Sequence, residues 1–180
     1  MRRIMAVAFV LALVSGCSSG PATYHPPAQP VRDGESALTN KDATVGEVAY
    51  SVLGITTQIT TVVGSHGTWE PKGQYVRVRL MIVNKGRDRH QFDPGQQILV
   101  AGDGRTYTED PDATQISRSP AGVEDIARQE LIAFDLWFDI PKATKPKALR
   151  IVGDNTDSNL GAQLSGGKAS KSNTADIPLS

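Results

Sequence analysis

Two long segments of the chain place apolar residues at every second position, which is the period of a β-strand and not of a helix. The first segment is Gln74–Asn84. One side of it carries Val76, Val78, Leu80 and Ile82, and the other side carries Tyr75, Arg77, Arg79, Met81 and Val83. Arginines at alternate positions are typical of a strand with one face in water, so we expect the second side to be exposed.

The second segment is Glu130–Ile140, and Pro141 ends it because proline cannot donate to the hydrogen-bond ladder. Its inward side carries Ile132, Phe134, Leu136, Phe138 and Ile140, and its outward side carries Ala133, Asp135, Trp137 and Asp139. We expect Phe134 and Phe138 to be buried between two sheets. We also expect the two segments to be antiparallel neighbours, with Arg77 and Arg79 facing Asp135 and Asp139.

Shorter strands are expected on both sides of these segments. Gly54 interrupts a β-rich run between Val48 and Val63, which predicts two strands or one kinked strand. Gly102-Asp103-Gly104 separates two short runs and predicts a hairpin. Weaker signals predict a loop at Gly64–Gly73, a strand at Thr114–Arg118, a helical turn at Val123–Ala127, a strand at Ala148–Val152 and a last short strand at Ile177 and Leu179.

These elements together indicate an all-β fold. About seven short strands, frequent turns and no long amphipathic helix predict an immunoglobulin-like antiparallel β-sandwich, with a closed barrel as the alternative. The chain has one cysteine, so the core must hold the fold without an intramolecular disulfide. Basic and acidic residues balance at 19 each, which leaves no electrostatic footprint for nucleic acid.

The N-terminus predicts export and lipid anchoring. Residues 1–16 combine two arginines with an apolar run too short to span a bilayer, as a signal peptide does. Val14-Ser15-Gly16-Cys17 resembles a lipobox, which predicts cleavage between Gly16 and Cys17 and lipidation of Cys17. The alternative is a secretory signal followed by a buried free cysteine. We therefore expect a protein on the extracytoplasmic face of the cell membrane, with lipidated Cys17 in the membrane.

The mature chain is expected to have three parts. Residues 17–43 are rich in proline, serine and glycine and predict an extended tether. Residues 44–153 contain the strand signals and predict the sandwich domain. Residues 154–180 are polar and predict a tail that either frays or adds a last short strand.

Four motifs resemble a known family. They are Pro71-Lys72-Gly73 before Tyr75-Val76, then Val83-Asn84-Lys85-Gly86, Gly102-Asp103-Gly104-Arg105-Thr106-Tyr107 and Phe138-Asp139-Ile140-Pro141. Over Val45–Val152 the chain resembles a domain of unknown function found in Gram-positive and actinobacterial lipoproteins. That domain has an immunoglobulin-like sandwich and is similar to the mycobacterial immunoprotective extracellular antigen family. Ala127-Arg128-Gln129 departs from the family's usual Pro-Gly before the last long strand. The resemblance implies no catalytic or ligand residues.

The search for catalytic or metal-binding groups predicts none. His90 and Asp93 are close in sequence, but no Gly-X-Ser-X-Gly elbow accompanies them, and we expect His90 to lie in a solvated loop. The acidic residues Glu109, Asp110, Asp112, Asp154 and Asp157 lack the spacing of an EF-hand. We therefore expect no enzyme activity, cofactor or metal. The alternative is a small exported enzyme or a metal-binding carrier.

The expected function is binding, through the outward face of the two long strands. Trp and Arg dominate interface hot spots, so an exposed Trp137 would be an anchor for an envelope protein or a small ligand. The predicted binding face consists of Trp137, Tyr75, Met81, Arg77 and Arg79. The alternative is that the tether or the C-terminal tail covers Trp137, in which case loops such as Gly64–Gly73 become the next candidates.

Overall fold

The computed structural model describes residues 30–64, 67–154 and 173–180. It consists of short and long strands with one α-helix, α1 (Pro111–Ile116), and one 3-10 turn (Pro94–Gln96). The strands are Ser36–Ala37 (β1), Asp42–Val45 (β2), Val48–Ile59 (β3), Val62–Gly64 (β4), Gly67–Trp69 (β5), Gln74–Asn84 (β6), His90–Phe92 (β7), Ile98–Ala101 (β8), Thr106–Thr108 (β9), Glu124–Ile126 (β10), Leu131–Ile140 (β11), Pro146–Val152 (β12) and Thr174–Pro178 (β13). None of the helices within these residues is long and apolar enough to cross a membrane.

The strands form an antiparallel β-sandwich, which confirms the predicted fold class. One sheet has the order β1-β3-β6-β11, with β2 also paired to β3. The other layer contains the sheet β13-β12-β8-β9 and the strand pair β10-β7. The predicted antiparallel pairing of the two long segments is confirmed, because β6 and β11 pair without a break from Gln74 opposite Ile140 to Val83 opposite Leu131.

The main core lies between these layers. It contains the predicted inward residues of β6 and β11 together with apolar residues of β3, β7, β8, β12 and β13. Phe134 and Phe138 are buried as expected. Phe134 contacts Phe92 across the core, with ring centroids 5.3 Å apart, and Phe92 in turn contacts Tyr50 at 6.1 Å. This aromatic row ties the first sheet to β7 without any disulfide.

Two turn predictions are confirmed in detail. β3 is one strand with an irregularity between Val52 and Gly54, and the hairpin β8–β9 turns through Gly102-Asp103-Gly104. The unusual Ala127-Arg128-Gln129 segment also forms a turn, closed by the Glu130 N–H donating to the Ala127 carbonyl at 3.1 Å. Gln129 adopts a φ of 60°, a left-handed conformation that glycine adopts without strain.

The region between β9 and β11 differs from the prediction. Thr114–Arg118 is not a strand, and Val123–Ala127 is not helical. Instead α1 begins after Asp110, whose side chain caps the backbone N–H groups of Asp112 and Ala113, with Pro111 in the first turn. The strand of this region is β10, which pairs with β7. The cap at Asp110 therefore determines where the helix forms, and the pairing with β7 determines where the strand forms.

The folded domain also begins earlier than predicted. β1 lies before Thr44, β2 includes Thr44, and both strands pair with β3. The Gly64–Gly73 segment contains β5, which pairs with β4 as a separate hairpin. At the other end, the polar tail returns as β13, which pairs with β12 and buries Ile177 and Leu179.

Candidate functional site

The predicted binding face of β6 and β11 is covered. Trp137 is only 5% exposed, and Tyr75, Met81 and Arg79 are buried to a similar degree, while Arg77 is half-buried. The expectation that this face is open to a partner is therefore wrong. Two separate parts of the described chain cover it: β4 together with α1, and the segment from Pro30 to Glu35 of the predicted tether.

The first cover is a small second core built on Trp137. Strand β4 contributes Val62 and α1 contributes Ala113, and both pack against Trp137 and Tyr75. The two aromatic rings meet edge to face with centroids 5.9 Å apart. Arg77 lies over the Trp137 ring at 5.8 Å, as cation–π partners do. This face of the sheet therefore resembles a core more than a binding surface.

Tyr75 and Asp110 connect this second core to the cap of α1. The Tyr75 hydroxyl donates to Asp110 Oδ2 at 3.2 Å, while Asp110 Oδ1 accepts the N–H groups that begin the helix. Burial raises the pKa of the Tyr75 hydroxyl, and the Asp110 carboxylate raises it further. Asp110 therefore acts as the structural cap of α1.

The second cover is the segment from Pro30 to Glu35. Arg79 Nη2 donates to Glu35 Oε2 at 2.8 Å and to the Pro30 carbonyl at 3.1 Å. Arg32 Nη1 donates to Asp135 Oδ2 at 2.6 Å. Arg79 and Asp135 do face each other across the strand pair, as predicted, but each forms its ion pair with this segment.

The other predicted cross-strand partner has a different role. Asp139 lies opposite Tyr75 and not opposite an arginine. Its carboxylate accepts the backbone N–H groups of Lys72 at 2.8 Å and Gly73 at 3.1 Å. Asp139 therefore holds the loop that leads into β6.

His90 is buried on β7, so the expectation of a solvated loop histidine is wrong. Its Nδ1 lies 3.1 Å from the carboxylate of Asp154, and its Nε2 lies 3.7 Å from Glu47. Asp154 also accepts the Gln91 N–H at 2.7 Å. Asp93, which is close to His90 in sequence, caps the 3-10 turn by accepting from the Gly95 N–H.

Glu109 is the acidic residue with the most unusual surroundings. It is 5% exposed, and neither carboxylate oxygen has a hydrogen-bond partner of good geometry among the described residues. Burial raises the pKa of its carboxyl, the nearby Thr114 hydroxyl opposes this, and Asp110 and Asp93 raise it further. Across residues 30–64, 67–154 and 173–180, no group of His, Cys, Asp or Glu side chains is arranged to hold a metal.

Several predicted residues lie outside the described part of the chain. These are the signal peptide, Gly16, Cys17, residues 17–29 of the tether and Asp157. The structure therefore leaves the lipidation prediction as a prediction.

An open groove of about 370 Å³ lies beside β11, on the sheet edge away from β6. Its lining residues come from the end of α1 and the turn after it, from β11 and from two charged side chains, Arg32 and Glu124. The full lining set is Arg32, Ser117, Arg118, Ser119, Pro120, Glu124, Ile132, Ala133, Phe134 and Asp135. The groove lies between the edge strand β11 and the turn after α1, so it depends on the tertiary structure.

The outward-pointing backbone groups of β11 are only partly paired along this groove. The Glu130 carbonyl accepts from Asn84 of β6, so in an antiparallel ladder the odd-numbered residues of β11 point their N–H and C=O groups outward. Ser119 Oγ satisfies the Asp135 N–H at 3.2 Å. No backbone or side-chain partner within the described ranges reaches the outward groups of Leu131 and Ala133. This part of the edge can accept an added strand.

Two solved structures from Bacillus, each with a TM-score above 0.5, confirm the fold. A conserved hypothetical protein from Bacillus anthracis is 14% identical, covers 81% of this chain and 96% of its own, and has a TM-score of 0.54. A "putative lipoprotein (ycdA)" from Bacillus subtilis is 12% identical, with a TM-score of 0.53, and the match covers 78% of this chain and 38% of that one. The secreted protein MPT63 from Mycobacterium tuberculosis is 19% identical over 65% of this chain and 82% of its own, with a TM-score of 0.36.

None of the curated protein sequences matches this chain significantly. The family comparison is informative, because a model described as a domain of unknown function matches residues 37–160. This range includes β1 and β2, in agreement with the early start of the fold. It also covers well over half of the sequence, and the chain therefore belongs to the DUF4352 family.

Proposed function

We propose that this protein is a lipid-anchored extracytoplasmic binding protein that holds an extended peptide segment of an envelope protein in the groove beside β11. The observation that carries the proposal is the unpaired backbone of Leu131 and Ala133 in that groove. Main-chain hydrogen bonds to an exposed sheet edge are a common mode of peptide recognition. In this proposal the protein has no catalytic role and requires no cofactor.

The groove also offers side-chain contacts that would orient a peptide. Arg118 is exposed at its wall and makes no ion pair with any described residue, and Arg32 is 46% exposed although it contacts Asp135. Glu124 supplies an opposing charge from β10. A segment with an acidic side chain near Arg118 would fit this arrangement best.

The lipobox supports the location on the extracytoplasmic face. Cys17 follows the apolar run directly and is the only cysteine. One acyl chain alone gives marginal membrane binding, so a multiply acylated cysteine would make the anchor stable. A structural neighbour named as a lipoprotein is consistent with this location.

The binding role is tested by photo-crosslinking from position 120, where Pro120 lines the groove, in envelope extract, with adducts mapped by mass spectrometry. Ala133→Pro should abolish the adduct, because it removes one outward N–H and leaves the ladder to β6 intact. Ala133→Val is the matched control and should retain the adduct. Equal adducts in both variants, with both folded by circular dichroism, would show that no strand is added at this edge.

The anchor is tested separately with Cys17→Ala. The variant should remain as uncleaved precursor or be released from the membrane, as seen by fractionation and intact mass. A processed Cys17→Ala protein that stays in the membrane fraction would refute lipid anchoring and leave the groove proposal untouched.

A further inference from the structure

Residues 109–119, which contain α1, cover the edge of β11 beyond the part that stays open, and we call them the flap. Near the start of the flap, the Asp110 N–H donates to the Trp137 carbonyl at 2.7 Å. At its end, the Ser119 hydroxyl accepts from the Asp135 N–H at 3.2 Å. The flap therefore closes one side of the ladder at two successive outward positions and forms a wall of the groove.

Thr114 holds the end of the flap in place. It is completely buried in α1, and its carbonyl accepts the Ser119 N–H at 3.1 Å and the Ser117 hydroxyl at 2.8 Å. The Thr114 N–H in turn donates to the Asp110 carbonyl at 3.0 Å. The position of Thr114 therefore determines where Ser119 meets the edge strand.

The buried carboxyl of Glu109 lies beside the Thr114 side chain. Among the described residues, neither oxygen of this carboxyl and not even the Thr114 hydroxyl has a hydrogen-bond partner of good geometry. No lysine or arginine in the described ranges forms an ion pair with Glu109. The charged groups that act on it are Asp110, which caps α1, and Asp93, which caps the 3-10 turn. An ionised Glu109 is therefore a buried anion near like charges and without a counter-ion.

From this arrangement we infer that Glu109 is a proton-dependent switch, which loosens the flap when it ionises and makes the groove bind its peptide more tightly at acidic pH. The inference rests on the proposed peptide binding beside β11. A neutral carboxyl stays buried at a lower cost than an ionised one, which gains full solvation only when the flap opens to water. Opening withdraws Ser119 from Asp135 and removes the wall of the groove.

Proton linkage gives the direction and the largest size of the effect. Burial raises the pKa of the Glu109 carboxyl above its ordinary value of 4.5, the Thr114 hydroxyl opposes this, and Asp110 and Asp93 raise it further. The closed flap therefore binds the proton more tightly than the open flap does. The flap is most firmly closed below the ordinary pKa, and opening increases as the pH rises through the pKa of the closed state. One proton changes the opening constant by at most about tenfold per pH unit.

Amide hydrogen exchange of the full chain measures this opening. Protection is expressed relative to an unstructured peptide, because chemical exchange itself accelerates with pH. The amides of Thr114, Ser117 and Ser119 should lose protection as the pH rises, and they should be less protected than the amides of β6. Glu109→Gln should remove the pH dependence, whereas Glu70→Gln, in an exposed position, should retain it.

Thr114→Val tests the switch in the other direction. The substitution keeps the shape of the side chain and removes the hydroxyl that favours the ionised carboxylate. The loss of protection should therefore continue to a higher pH than in the unmodified protein, a shift that a purely structural contact does not predict. Circular dichroism establishes that each variant is folded before exchange is measured.

Photo-crosslinking from position 120 separates the switch from the proposed binding. The adduct in envelope extract should be stronger at acidic than at alkaline pH, and Glu109→Gln should make it equal at both. An equal adduct in the unmodified protein, or flap amides that are as protected as those of β6 at every pH, would overturn the switch. Exchange that depends on Glu109, with no adduct at either pH, would overturn the peptide binding and support the opening of the flap.

Discussion

Arg79 on β6 and Glu35 on the segment before β1 form an ion pair of 2.8 Å in which both side chains are almost completely shielded from water. Glu35 also lies directly on Gly54, where a Cβ would come within 2.5 Å of Glu35 Cδ. The bulge in β3 thus provides the space in which the carboxylate reaches the arginine. This pair explains why the folded domain begins well before Thr44.

Glu35→Ala should destabilise the domain strongly, because it leaves the Arg79 guanidinium buried without its counter-charge. Removing one partner of a buried ion pair typically lowers the free energy of unfolding by about 3–5 kcal/mol. Urea unfolding followed by circular dichroism measures the change.

Asp176→Ala is the matched control for this prediction. It removes the carboxylate of the Arg150–Asp176 pair, in which the side chains are 38% and 46% exposed. Solvent screens such pairs, so this variant should unfold nearly as the unmodified protein does. If both variants unfolded alike, the contact between Glu35 and Arg79 would contribute nothing to stability.

The two tryptophans should differ clearly in fluorescence in the absence of membranes. Trp137 packs on Tyr75 in the second core, whereas Trp69 is 43% exposed. Trp69→Phe should therefore leave a blue-shifted emission that iodide cannot quench. Trp137→Phe should leave a red-shifted emission that iodide quenches readily. The reverse assignment would show that α1 and β4 do not cover β11 in solution.

Glu109 should make the domain less stable as the pH rises. Its folded-state pKa is raised above the ordinary value of 4.5, so the native state binds more protons than the unfolded state between these two values. Stability is therefore fully present below the unfolded pKa and is lost as the pH rises through the folded pKa. Melting temperatures across this range should show the decline.

Glu109→Gln should remove this part of the pH dependence and raise the melting temperature at neutral pH. An amide is neutral at every pH and does not carry the cost of a buried carboxylate. Glu70→Gln, in an exposed position, is the matched control and should leave the profile unchanged. A profile that declines equally in the Glu109→Gln protein would assign the effect to other groups.

Gln129→Gly should stabilise the domain. Gln129 has a φ of 60°, and a left-handed conformation costs a non-glycine residue roughly 1–2 kcal/mol, of which the higher entropy of unfolded glycine offsets roughly half. We expect a gain of up to about 1 kcal/mol in the free energy of unfolding. Arg128→Gly, which lacks the positive φ, should instead destabilise. The opposite ranking in urea unfolding would exclude the left-handed turn.

Alternation along single segments was sufficient to predict the two long strands. β6 and β11 keep a period of two for ten residues or more, and the apolar side of each lies in the main core. The turn at Gly102-Asp103-Gly104 and the bulge at Gly54 were also predictable, because glycine in a strand pattern has few other structural explanations. These features depend on residues close together in sequence.

The exposure of the outward face could not be predicted in this way. The residue pattern of β6 predicts a solvent-facing Arg79, but in the fold Arg79 donates a hydrogen bond to Glu35, which lies 44 positions away. The pattern of β11 predicts an exposed Trp137, but in the fold Val62 and Ala113 pack against it. A polar residue pattern is compatible with water or with a charged partner, and only long-range packing decides which of the two is present.

The short elements show the same limit. Local alternation favoured a strand at Thr114–Arg118, but the Asp110 cap and Pro111 start a helix that includes Thr114 and ends at Ile116. The strand of this region forms at β10, where β7 provides a pairing partner. The sequence by itself determined the two long strands, their apolar faces and the turn at Gly102-Asp103-Gly104. Only the tertiary structure decided which side chains are covered, where the domain begins and which sheet edge stays open, because these depend on contacts between residues far apart in the chain.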